Sequence, residues 1–459
     1  MLTYDVRVYS IETRRERPKP YRVRWLVGSR KHSKSFPLKP QADGRRSELM
    51  GALRRGEQFD TDTGLPTSEL RALRGAVTWY DHTRAFVDRK WETIPAKSRR
   101  NVADALATIT PALTKPAPGR PEERLLRRAL YSHAYNKNAW SEETPTRYAG
   151  ALEWARKNSL AMAELEDTAV LRKALDALSR RLDGKPAAAR TAKRKRACLS
   201  DVLGLAVEEK LLPSGINPLT TIRWAVPRAA EQVDPESVAN PPQVRRLLTA
   251  VRQQGRRGEH LEAYFGCLYH AALRPAEAIH LTRRQCHLPA HGWGRLTLRG
   301  GVVRAGRSWT DDGQAHEVRG LKARAPEDTR PVPIPPVLVR LLRRHLDTQG
   351  AAPDGRLFRT GRGGVLQESG YGEVWARARK AALTEEEAAT RLARRPYDLR
   401  HAGVSFWLSS GVDPAECARR AGHSLAVLFR VYAKVLAQSE ERSNRRIETA
   451  MREWDASQR

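Results

Sequence analysis

Six prolines, at positions 213, 218, 227, 235, 241 and 242, punctuate a single stretch of the chain. No apolar period survives such punctuation, so no packed element can run through it. The sequence on either side must therefore bury its own core, and 459 residues are enough for two or three domains. The expected division is 1–66, 67–212, a linker over 213–239, and 240–459. Asn240 reads as an N-cap, with Pro241 or Pro242 at the first helical position, opening the last part.

The first part reads as strands over 3–9, 21–27 and 31–38, followed by a helix over 41–55. In the second strand Tyr21, Val23, Trp25 and Val27 alternate with Arg22, Arg24 and Leu26, giving one apolar and one largely basic face. Arg22, Arg24, Lys31 and Lys34 are candidate DNA contacts of a three-stranded sheet that could lie in a groove; a solvated face is the plainer reading.

Residues 68–211 carry helical apolar spacing in TWYDHTRAFVDRKW, ETPTRYAGALEWARK, TAVLRKALDALSRRL and RTAKRKRACLSDVLGLAVEEK. The last opens on a basic run, Arg190, Lys193, Arg194, Lys195 and Arg196, ahead of an apolar rear formed by Leu199, Val202, Leu203, Ala206 and Val207. A charge run is usually a solvated face. Here its basic end can meet a phosphate backbone while the rest of the helix packs.

Lys and Arg number 83 against 52 acids, a formal charge of +31. That field favours nucleic acid or an anionic membrane. No apolar run approaches the roughly 18 residues of a spanning helix, and the opening MLTYDVRVYS does not read as a secretory signal. Four cysteines without a CxxC suit a reducing compartment. Cys286, His287 and His291 form a CHxxxH with no second ligand cluster, so neither metal nor other cofactor is expected.

After residue 242 the pattern is helices, then a β segment with RLTLR (295–299), AHEVRG (315–320) and PVPI (331–334), then helices again. Thr384 and Glu387 form a capping box. Asp413-Pro414-x-Glu416 starts a helix that Gly422 ends, which puts His423 in a turn; Leu425, Leu428, Tyr432 and Val435 then share a helix face. Arg274 precedes a proline-started helix and is either a phosphate ligand or an ordinary partner of Glu277. Lys322 is the only lysine between Lys210 and Lys380 in a chain of 66 arginines and 17 lysines. Lysine can surrender a proton in a cationic site, whereas arginine cannot. Tyr432, taken alone, reads as a core aromatic.

ALRPAEAIHL, LKARAPEDTRPVPIP and YDLRHAGVSFWLSSGVDPAECARRAGHSLAVLFRVYAKV occur in this order and together resemble the boxes of the tyrosine recombinase (phage-integrase) family. The gaps from Arg400 to His423 and from His423 to Tyr432 are 23 and 9 residues, as in that family. The match covers roughly 240–440; the front of the chain resembles the family's helical core-binding and arm-binding domains, as in integrases of actinobacterial integrative elements.

The resemblance implies a multidomain, mainly α fold with small β segments. It implies a DNA recombinase in which Tyr432 forms a 3′-phosphotyrosine, Arg274 and Arg400 hold the phosphate, His423 donates a hydrogen bond and Lys322 protonates the leaving 5′ oxygen. Tyr397 stands where the family usually has histidine or lysine, and its role is open. Implied partners are double-stranded attachment-site DNA, a homotetramer on that DNA and an excisionase or DNA-bending helper, in the nucleoid of a bacterial cytoplasm. Residues 437–455 are a tail-helix candidate for packing on a neighbouring subunit. A nicking type IB topoisomerase and a non-catalytic DNA-binding regulator are the competing readings.

Overall fold

The computed structural model describes residues 2–70, 77–225, 232–322, 325, 327–437 and 440–457. It divides into two compact units, Met1–Arg228 and Ala229–Arg459. Pro227 of the proline-rich stretch lies outside the described residues, as does the side chain of Val435.

The first unit begins with β1 (Leu2–Thr3), β2 (Val6–Val8), β3 (Glu12–Thr13), β4 (Tyr21–Val27) and β5 (Arg30–Phe36), then α1 (Lys39–Arg54) and β6 (Phe59–Asp60), which pairs with β1. Strand β4 is central: β5 lines one edge, while β2 and β3 follow one another along the other. The sheet is thus three ribbons wide, as the alternation predicts, but the first ribbon is broken at Tyr9–Ile11 into separate strands. Gly28 has φ +57° in the two-residue turn between β4 and β5, the conformation that a tight hairpin demands. Val23, Trp25 and Val27 are buried with Ala42, Leu49 and Ala52 of α1.

The pairing sorts the basic residues. Arg22 and Arg24 of β4 stand opposite Ser35 and Ser33, and Leu26 opposite Lys31, all on the face away from α1. Lys34 pairs with Val23 and so lies on the opposite side of the sheet from Arg22, Arg24 and Lys31.

The rest of this unit is helical: α2 (Trp79–Trp91), α3 (Ala96–Ile109), α4 (Glu123–Ala129), α5 (Thr146–Lys157), α6 (Thr168–Ser179) and α7 (Ala189–Glu208). Leu199, Val202, Leu203 and Ala206 of α7 are buried, and the helix packs on α3. Its basic end is partly spoken for. Arg194 and Lys195 both bind Asp104 of α3, at 3.0 and 3.3 Å, and Lys195 also reaches Thr108 at 2.7 Å. Arg196 donates to the Leu219 carbonyl and covers the Trp224 ring. Arg190 is exposed and Lys193 half-buried.

In the second unit Asn240 and Gln243 exchange side chain-to-backbone hydrogen bonds of 2.8 and 2.9 Å at the start of α8 (Pro241–Arg252). Helix α9 (Gly255–His270) runs through the core and touches α8, α10 (Pro275–His280), α11 (Pro336–Gln349) and α14 (Asp398–Ser409). A sheet of β7 (Cys286–His287), β8 (Gly294–Leu298) and β11 (Arg330–Ile334) has β8 in the middle. The expected strand at 315–320 is β10 (His316–Gly320), and it pairs antiparallel with β9 (Gly300–Arg304). Helices α12 (Glu368–Ala382) and α13 (Glu385–Ala389) precede α14; α15 (Pro414–Ala421), α16 (Leu425–Ala437) and α17 (Glu440–Ser457) follow it.

One close approach sets the site. A Cβ on Gly403 would lie 2.1 Å from the Tyr269 carbonyl oxygen, so only glycine lets α14 meet the end of α9 this tightly. That contact brings Arg400, three residues earlier on α14, beside Ala272.

Candidate active site

Arg274 sits at the N-cap of α10, where Pro275 takes the first helical position. The Glu277 carboxylate folds back and accepts from the Arg274 backbone N–H at 2.9 Å and from its Nη1 at 2.6 Å. Nη2 of the same guanidinium donates to the Gly422 carbonyl at 2.7 Å. The ion pair with Glu277 and a place in the site are therefore not alternatives; one side chain does both.

Glu277 is buried, and its Oε2 also accepts from Nη2 of Arg330 at 2.7 Å. Burial pushes this carboxyl up, but Arg330, Arg274 and Arg400 outweigh it and bring the group down to about 2. The carboxylate is thus a fixed anion that holds two arginines in place.

Arg400 is fully buried. Its Nη1 donates to the Ala272 carbonyl, and its Nη2 reaches the Ala421 carbonyl at 2.6 Å and Nε2 of His423 at 2.8 Å. Burial, with Arg274 beside it, lowers its pKa, yet a guanidinium starts high enough to remain charged.

A guanidinium only donates, so Nε2 of His423 is the acceptor and the neutral ring carries its hydrogen on Nδ1. Burial and the charges of Arg400 and Arg274 push this imidazole down to about 3, which keeps it neutral. Nδ1 is buried with no hydrogen-bond partner among the described residues, as is Nε of Arg400. Unpartnered donors beside a buried cation are suited to an anionic oxygen. Gly422, at φ +64° and ψ 48°, caps α15 in the left-handed conformation and aims its carbonyl at Arg274.

Tyr432 is fully buried in a small cluster with Val233, Ala272, Trp407, Cys417, Leu428 and others. Burial raises its phenol above the usual tyrosine value, while Arg400 opposes that rise. The expected helix face needs one correction: Leu428 and Tyr432 turn inward, but Leu425, at the start of α16, is 46% exposed. At Tyr432 itself the backbone leaves helical geometry, with φ −111° and ψ 18°. The Val233 N–H donates to the Val431 carbonyl there at 2.8 Å.

The Tyr432 hydroxyl lies 3.0 Å from Nδ1 of His401. His401 is one helical turn from half-buried Tyr397, and their rings meet edge to face at 5.1 Å. The histidine ring therefore stands between two tyrosines. Lys322 is exposed in the turn after β10, and among the described residues no hydrogen bond joins it to Arg274, Arg400, His423 or Tyr432.

The sequence reading therefore named Arg274, Arg400, His423 and Tyr432, which converge, and Tyr397, which borders them. It missed Arg330 and Glu277 as a linked pair, and it gave His401 no role. Their signals were present: arginine at the head of the Arg-Pro-Val-Pro strand, and histidine four residues after Tyr397 on one helix face. Among the described residues no group of three or more His, Cys, Asp or Glu side chains is placed to hold a metal ion.

At the opposite end of α9 a cavity of about 880 Å³ is lined by Arg256, Arg257, Arg359 and Arg362, with His260 and Tyr371.

No family model matches the chain, and no curated protein matches it. Among solved structures it is similar to the Tn1549 transposon integrase in complex with transposon right end DNA, at 18% identity over 60% of this chain and 84% of that one, with a TM-score of 0.47. It is also similar to the XerH site-specific recombinase bound to difH substrate (12% identity, 73% and 92% covered, TM-score 0.42). A lambda integrase dimer bound to a COC′ core site is a third such structure, at 14% identity over 90% of this chain and 91% of that one, with a TM-score of 0.45.

Proposed function

We propose that the chain is a site-specific DNA recombinase that cuts and rejoins DNA through a 3′-phosphotyrosine on Tyr432, integrating or excising a mobile element. One observation carries this reading: two arginines, a neutral histidine with an unpartnered donor and a buried tyrosine, scattered between positions 274 and 432, meet in one cluster. Arg274 and Arg400 hold the non-bridging oxygens and stabilise the charge that grows on them in the pentacoordinate transition state. His423 supplies a neutral hydrogen bond. The bond energy stays in the phosphotyrosine, so the chemistry calls for no nucleotide or metal.

Lys322 protonates the leaving 5′ oxygen in this reading, closing on the site when DNA is bound; its exposed turn leaves it free to do so. Tyr397 packs against His401 and is available to a phosphate oxygen.

The front of the chain then serves as an arm-binding domain over 1–66 and a core-binding domain over 67–212, joined by a linker over 213–239 to a catalytic domain over 240–459. Double-stranded attachment-site DNA is the partner, with Arg22, Arg24 and Lys31 on one sheet face and Arg190 and Lys193 at the head of α7 as backbone contacts. A homotetramer does the exchange, with an excisionase or bending protein as helper and the bacterial nucleoid as the place. Ile447, Met451 and Trp454 are about 60% exposed along one side of α17, which suits a tail that packs on a neighbouring subunit. Among the described residues no helix is long and apolar enough to cross a membrane.

Incubation with a supercoiled plasmid carrying both candidate attachment sites tests the reading. Site-dependent recombinants support it. Relaxation without any site requirement moves the assignment to a nicking type IB topoisomerase, and sequence-specific binding without cleavage moves it to a regulator.

A further inference from the structure

We infer that His401 is a catalytic residue: it takes the proton of Tyr432 as the phenol attacks phosphorus, and returns it when the strand is rejoined. The inference rests on the recombinase reading and adds to it the group that activates the nucleophile.

A buried phenol is a poor nucleophile until it loses its proton, and that proton needs a base within hydrogen-bond reach. Among the described residues the one hydrogen-bond partner of the Tyr432 hydroxyl is Nδ1 of His401, at 3.0 Å. Arg400 and Arg274 cannot accept a proton, and His423 already spends its only lone pair on Arg400. Their positive charges favour the phenolate, lowering the cost of the transfer. His401 is fixed for this task. It lies on the rigid α14, one residue beyond fully buried Arg400, with Tyr397 against its ring at 5.1 Å. Any motion of the phosphate-holding arginine thus carries the base with it.

The step balances. The Oη–H bond of Tyr432 breaks and its proton passes to Nδ1 of His401, leaving an imidazolium. The Oη–phosphorus bond forms while the bond from phosphorus to the 5′ oxygen breaks, and that oxygen takes a separate proton. In rejoining, the 5′-hydroxyl returns that separate proton to its donor, Lys322 in the recombinase reading, and attacks phosphorus; the Oη–phosphorus bond breaks, and His401 hands its proton back to the phenol.

The test is single-turnover cleavage of nicked duplex by the full chain, run with ordinary substrate and with a 5′-bridging phosphorothiolate, whose sulfur leaves without being protonated. His401→Ala and His401→Asn are compared with wild type. Asparagine places an amide near the Nδ1 position and can bond the phenol, but it cannot carry the proton. Both variants are expected to cleave roughly 10²-fold or more slowly on both substrates while binding the duplex as wild type does. Recovery of the wild-type rate by His401→Asn, or loss confined to the ordinary substrate, overturns the inference. Should His401→Ala not fold, the asparagine variant decides alone. Absence of any adduct from the wild type sinks the recombinase reading itself; adduct from the wild type with unimpaired His401 variants sinks only the role of His401.

Discussion

The carbonyl oxygen of Gly422 accepts from Nη2 of Arg274 at 2.7 Å, although 148 residues separate the two. The same turn positions His423, so the histidine and the first arginine are set by one left-handed glycine. A Cβ at position 422 would stand 2.0 Å from Nη1 of Arg330, and the φ of +64° disfavours any side chain. Gly422→Ala is therefore expected to cost about 1–2 kcal/mol of stability from the backbone alone. It should also slow cleavage by moving Arg330, Arg274 and His423 together. Urea melts with single-turnover cleavage check this, and a variant as stable and active as wild type contradicts it.

Glu277 holds Arg274 at 2.6 Å and buried Arg330 at 2.7 Å. Removing a carboxylate from a buried network leaves cations without a counter-charge. Glu277→Ala should lose on the order of 3–5 kcal/mol, and Glu277→Gln less, since an amide oxygen can still accept from one arginine. Chemical denaturation measures both, and equal losses would argue against the charge being what matters.

Acid should destabilise the second unit before its carboxylates titrate. Burial pushes His270 and His260 down to about 4, and His423, also beside Arg400, to about 3. Unfolded histidines take up protons near 6.5, so the unfolded state binds more protons than the folded one below that value. Stability is then fully present above pH 6.5 and falls toward pH 4, by up to about 1.4 kcal/mol per pH unit for each such histidine. Glu277 adds a further loss between about 4.5 and 2. Urea midpoints at pH 7.5, 5.5 and 4.5 should fall steadily; a flat series contradicts the buried neutral histidines.

Salt dependence separates the basic residues. Arg24→Ala and Lys31→Ala should each lower the slope of log affinity against log salt by about 1, whereas Lys34→Ala, on the opposite sheet face, should leave it nearly unchanged. Lys195→Ala should lower stability instead, because its ammonium is bound to Asp104 and Thr108. Binding titrations over a salt series with thermal melts distinguish the two groups, and a slope change for Lys195 of the same size as for Arg24 would count against this sorting.

Local patterns in the sequence carried the parts of the fold that are set locally. The alternation in Tyr21–Val27, the Asn240 cap and the Asp413-Pro414 start fix their elements through backbone chemistry within a few residues. What escaped depends on distant partners. Nothing near Arg194 or Lys195 announces Asp104, some 90 residues away, so a run that read as free for phosphate is partly internal. Likewise Arg330 and Glu277, 53 residues apart, meet only in the folded chain, and His401 gains its meaning from Tyr432, 31 residues later. Spacing could identify the candidates in the site, but not which of them touch.

Everything proposed for this site depends on Tyr432 being the nucleophile. Nicked attachment-site duplex incubated with the chain should leave DNA covalently bound to protein, and mass spectrometry of the digested adduct should find the nucleotide on the peptide containing Tyr432. Tyr432→Phe removes only the hydroxyl from a buried ring and is expected to abolish the adduct while leaving DNA binding intact. An adduct that persists in Tyr432→Phe, or that maps to another residue, rules Tyr432 out as the nucleophile.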